Sequence, residues 1–164
     1  MIAEILDSHG ILFHDLGKLL VDVSDELFFA RPVSEMNPPA WIVGHLVYSC
    51  QMIGGEIGLT PWLDETWVQL FATGSEAPAD PEAYPDRASL MSALDEAGQR
   101  LADRLAAMSD DDLAVPLPDE RYRDTFPTLG HAVLHILTVH AAFHIGQLSA
   151  WRRAAGLPRS VECR

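Results

Sequence analysis

Apolar residues recur at three-four spacing along four long stretches of this 164-residue chain, and no stretch of useful length alternates apolar with polar. That periodicity points to α-helices and away from a sheet. The first stretch runs from about Ile2 to Phe29, with Ile5, Leu6, Leu12, Leu16 and Leu19 in its stripe, and is closed by Pro32 and the segment RPVSEMNPP. The second opens with Asn37 as N-cap and Pro38 or Pro39 in the first turn; Trp41, Ile42, His45, Leu46 and Ser49 share its inner face, and Gly54, Gly55 and Gly58 loosen its end. The third spans about Ala88 to Met108 behind Asp86, with Leu90, Leu94, Ala97, Leu101 and Leu105 inward. The fourth starts at Thr128 as N-cap and reaches about Ala155, with Gly156 placed at C′ and Pro158 beyond. It is apolar on more than one face (Val133, Ile136, Val139, Phe143 and Leu148), so it is central in the fold or also faces a partner subunit. The expected architecture is all-α: one domain over residues 1–164, a four-helix bundle whose long crossover, Leu59 to Arg87, holds a short helix from Trp62 to Phe71.

Composition narrows the function. With 48% hydrophobic residues the chain can bury a substantial core. The formal net charge is −13, and only Arg152 and Arg153 are clustered. A phosphate-backbone binder needs a basic patch, so nucleic acid is an unexpected partner, and an anionic membrane surface is disfavoured for the same reason. No apolar run is read as reaching the ~20 residues of a bilayer span, and the opening MIAEILDSHG lacks the basic and apolar regions of a signal peptide. Cytoplasmic residence is the expectation. Two cysteines, Cys50 in a helical pattern and Cys163 in the tail, do not make a disulfide framework; Cys50 reads as a buried thiol.

The chemistry lies in the histidines. In HAAFHIGQL, His140 and His144 stand four apart on a helix, about 40° apart on one face, so two imidazoles can reach one ion from adjacent turns. His45, from the second helix, becomes the natural third ligand. Three neutral imidazoles leave a coordination position open, as a catalytic metal requires. No HExxH motif is present, because Ala141 follows His140. On a regular helix His131 and His135 fall about 180° and 140° from His140, outside the site. His9 follows the first stripe but, in an antiparallel hairpin, lies about 20 Å from the level of His45. His14 is read as solvated.

NPPAWIVGHL in the second helix and HAAFHIGQLSAWRRAAGLP in the fourth together resemble the DinB/YfiT-like family of metal-binding four-helix-bundle proteins. The likeness covers the whole chain as architecture and about thirty residues as motif. It implies a three-histidine site for a divalent metal ion, zinc or nickel, with His45, His140 and His144 as ligands. It also implies a homodimer, and in some relatives a reaction of low-molecular-weight thiols. Gln147 in the family-like G-Q-L either orients a ligand or packs between helices.

Three functions compete on this basis. A thiol-dependent S-transferase would use the ion to lower the pKa of a bound thiol. A metal-dependent hydrolase would need a carboxylate base, for which Glu56 is about 16 Å along its helix from His45 and Asp22, Asp25 or Glu26 are the other candidates. A non-enzymatic metal-binding or stress-response protein needs neither. Three imidazoles accept zinc, nickel, iron or copper, so spacing does not fix the ion.

Overall fold

The computed structural model describes residues 1–158; Cys163 lies outside them. Among the described residues the main elements are all helical, in the order α1 (Ile2–Leu20), α2 (Asp25–Phe28), α3 (Pro39–Glu56), α4 (Glu65–Phe71), α5 (Arg87–Ala106), α6 (Asp110–Leu113), α7 (Leu129–Leu134), a π-helical turn (His135–His140) and α8 (Ala141–Ala154). The last three run on as one helix, so the long elements are the four expected from periodicity.

Their boundaries follow local chemistry. The Asp86 carboxylate accepts from Ser89 N–H to start α5, and the Thr128 hydroxyl accepts from His131 N–H to start α7, each satisfying an orphan donor of the first turn. Gly156 follows α8 with φ +74°, the left-handed conformation of a C′ residue. The N-cap of α3 is Pro38 rather than Asn37, with Pro39 as first helical residue. The first helix stops at Leu20 instead of running to Phe29, and Ser24 caps the separate turn α2. Residues distant in sequence support this break. Arg152 donates to Leu19 O at 2.6 Å, Arg87 donates to Leu20 O at 2.8 Å, and Arg87 also reaches Val23 O. The helix-end carbonyls thus find partners outside their own helix.

Around the bundle α1 packs on α5 and on the last helix, and α3 packs on the other sides of both. Helices α1 and α3 are therefore diagonal, not the adjacent hairpin that the His9 estimate assumed. Leu16, Leu90, Leu101 and Leu148 are wholly buried between them, each worth roughly 1.5–3 kcal/mol of removed apolar surface. Trp151 fills the space under α2, its indole N–H donating to Ala30 O at 2.9 Å. Residues 129–154 also meet the length and hydropathy of a membrane span, contrary to the sequence reading, with 39% of the most apolar window buried. That buried side packs against α1 and α3, the role of a core helix.

The crossover is anchored where it matters for the site. Gln51 Oε1 accepts from Trp62 N–H at 2.7 Å and Leu63 N–H at 2.6 Å, and the Trp67 indole donates to Gly44 O at 3.3 Å. The Phe71 ring lies on Gly44 so closely that a Cβ there would fall 2.2 Å from it. Glycine at 44 thus lets α4 sit directly on the α3 backbone, one residue before His45.

Candidate metal centre

His45, His140 and His144 meet at one point. Each offers a ring nitrogen, and these atoms all lie within 4.8 Å of one another. His45 Nε2 is 3.3 Å from His140 Nε2, and His144 Nε2 is 3.1 Å from it. Two nitrogens bound at zinc distances in a tetrahedral shell are about 3.3–3.4 Å apart, so the two pairs that share His140 already have nearly the spacing an ion requires.

The tautomers are set from outside. His45 donates its Nδ1 proton to Phe71 O at 2.8 Å, and His144 donates its Nδ1 proton to Gln147 Oε1 at 2.9 Å. With Nδ1 protonated, Nε2 of each neutral ring carries a lone pair, and both lone pairs aim at His140 Nε2. A proton on that atom can serve one of them; a cation serves all three. His140 Nδ1 is buried without a hydrogen-bond partner.

Burial keeps the triad unprotonated. Desolvation, then mutual repulsion among the rings, pushes His140 down to about 3 and His144 to about 4. Burial also lowers His45, against the raising effect of its Phe71 carbonyl. Neutral imidazole is the form that binds metals.

Helix α3 itself supplies the wall behind His45, and the crossover braces it. Trp41 stacks on its ring with centroids 4.8 Å apart and planes 7° from parallel. The Trp41 indole is itself held by Ser75 Oγ, which donates onward to Leu70 O. Sequence reasoning placed Trp41 on the face of His45, four residues away on one helix, but missed the Phe71 carbonyl, which does not follow from spacing along that helix. Of the two roles weighed for Gln147, orienting a ligand or packing between helices, its hydrogen bond to His144 fits the first.

Other candidates fall outside the triad. No carboxylate or thiol joins the cluster among the described residues. Asp22 is gripped by Arg152 at 2.5 and 2.9 Å, Asp25 contacts Arg87, and Glu56 accepts from Asp119 N–H. Cys50 is fully enclosed and its thiol is pushed up to about 12 by burial, so it is not a thiolate at neutral pH. His14 is exposed, and the exposed His131 meets the Thr128 hydroxyl at 2.8 Å. His9 is buried but not in the cluster.

His135 differs from expectation. The turn from His135 to His140 is π-helical, and i→i+5 bonding makes residues five apart near neighbours. The His135 ring consequently lies 6.4 Å from that of His140, not on the far face, and packs against Phe126 with centroids 4.8 Å apart and planes tilted by 40°.

A family model described as the DinB superfamily matches residues 12–148, which include all three histidines of the triad. No curated protein matches the chain.

Proposed function

Because the chain belongs to the DinB superfamily, we propose that it is a divalent-metal protein in which His45, His140 and His144 hold a zinc or nickel ion, and that it acts as a thiol-dependent S-transferase. One observation carries the metal assignment: two imidazoles with committed Nδ1 protons direct their lone pairs at a third ring about 3 Å away. When bound there, the ion supplies a Lewis acid with an open position, which lowers the pKa of a thiol that joins it. Phe71 O and Gln147 Oε1 fix the orientation of two ligands. Trp41 closes one side of His45 to water. The desolvated rings stay free of protons through neutral pH.

Hydrolysis is the weaker reading: of the carboxylates considered for its base, Asp22, Asp25 and Glu56 are engaged elsewhere, and Glu26 is exposed and outside the cluster. A homodimer belongs to the proposal. Leu134, Val139 and Phe143 are 43%, 57% and 62% exposed along the outer side of the last helix, a stripe that a second copy would cover. Sedimentation of wild type beside Phe143→Lys should give a dimer and a monomer; two identical monomers would remove this part of the reading.

Elemental mass spectrometry of purified wild type and His144→Ala tests the site. About one ion per chain, lost in the variant, is expected. Loaded wild type is then offered bacterial thiols with an electrophile such as monobromobimane. Adduct formation no faster than with apoprotein across the thiols would leave a metal-binding protein without transferase activity, while a metal-free wild type after reconstitution would remove the metal assignment itself.

A further inference from the structure

Two side chains bond backbone carbonyls at the π turn that ends on His140, the first residue of the H-x3-H pair. In a regular α-helix Leu137 O would accept from Ala141 N–H, but Ala141 N–H bonds Thr138 O instead. The Leu137 carbonyl is taken by His9, whose Nδ1 lies 3.1 Å away in a fully buried contact between α1 and the π turn. One turn earlier the Thr138 hydroxyl donates to Leu134 O at 2.6 Å, a back-bond that bends helices. A side chain that fills a gap in the i→i−4 ladder is a recognised cause of such irregularity.

His9 has no other polar role in the described residues. Its Nε2 is buried without a partner. Its ring is clamped by Phe13, with centroids 4.0 Å apart, and lies over Gly98 of α5, where a Cβ would stand 3.9 Å from Nε2. A leucine would suit an apolar slot of this kind. The imidazole instead offers one donor, aimed at the Leu137 carbonyl of the π turn. The turn ends on His140 and feeds directly into His144.

We infer that His9 is a positioning residue for the metal centre. By donating to Leu137 O it holds the π turn, and the π turn sets the rotation of His140 and His144 about their helix relative to His45. The inference rests on the metal reading above. It gives His9 a part in the site although it stands on the diagonal helix and touches none of the three ligands through a hydrogen bond.

His9→Leu removes the donor, and His9→Asn keeps one at the Nδ1 position. Zinc affinity is measured by competition with a chromophoric chelator, and the cobalt-substituted forms are compared by visible absorption, which reports ligand geometry. The expected result is zinc affinity about tenfold weaker or more in His9→Leu, on the scale of lost ligand-orienting contacts, with an altered cobalt spectrum and near-wild-type values in His9→Asn. A folded His9→Leu with unchanged affinity and spectrum would overturn the inference, even if it melts at a lower temperature. Should His9→Leu not fold, nitrogen NMR of wild type decides: the His9 Nδ1 proton must be protected from exchange, and its shift must move when zinc binds. An unmoved shift overturns the inference. Wild type that binds neither zinc nor cobalt sinks the metal reading instead, so the two failures are distinct.

Discussion

At the scale of single residues, the centre depends on which ring nitrogen carries the proton. His144 without its Gln147 contact is free to rotate or to change tautomer, and its lone pair is no longer held on Nε2. Gln147→Leu, nearly the same size, should therefore keep the fold and weaken zinc binding by about ten- to a hundredfold. Gln147→Glu should retain binding, because a carboxylate accepts the same proton. Isothermal titration of both variants measures this; equal affinity in wild type and Gln147→Leu would mean that helix packing alone orients His144. The triad was legible in the sequence because an i,i+4 pair defines its own face without reference to the rest of the chain. The Phe71 carbonyl was not, since a backbone acceptor 26 residues away from His45 has no residue identity to read.

Elements explain both the success and the gaps of the sequence reading. Three-four spacing and the caps at Asp86, Thr128 and Gly156 report on backbone chemistry within one helix, and they placed the second, third and fourth long helices and the start of the first to within a few residues. The break after Leu20 and the π turn depend on donors from other helices, Arg87 and Arg152 for the first and His9 for the second. Spacing along one segment carries no trace of these. The angular error for His135 came from the same source, since 100° per residue holds only where the i→i−4 ladder is intact. The approach of α4 to α3 is of this tertiary kind too, and Gly44 makes it possible. Gly44→Ala would place a methyl 2.2 Å from the Phe71 ring, so α4 must lift. We expect a loss of roughly 1–3 kcal/mol, the usual range for overpacking, together with weaker metal binding as Phe71 O leaves His45. Chemical denaturation and a zinc titration on the same variant test this. Destabilisation with unaltered affinity would show that the crossover braces the bundle but not the ligand.

For the whole molecule, the buried histidines couple the site to stability. Their folded-state pKa values lie below the ordinary imidazole value of 6.5, at about 3 for His140 and about 4 for His144, and burial also lowers His45 and His9. An unfolded chain takes up protons first as pH falls, so unfolding is favoured progressively from about pH 6.5 down toward the folded values. Carboxylates bonded in the fold, such as Asp22 beside Arg152, are shifted below an ordinary value of 3.8 and lose their contribution only at lower pH. The window between about pH 6.5 and 4.5 therefore belongs to the histidines. Bound zinc should steepen the loss, because it stabilises only the folded form, by about 2.7 kcal/mol at a hundredfold excess over its Kd, and protons compete for the same nitrogens. Urea midpoints of apo and zinc-loaded protein should be well separated near neutral pH and converge toward about pH 4.5. His140→Leu should abolish the separation and flatten the apoprotein's own decline, since the most depressed of these groups has been removed. An equally steep decline in His140→Leu would assign the acid sensitivity to groups outside the triad.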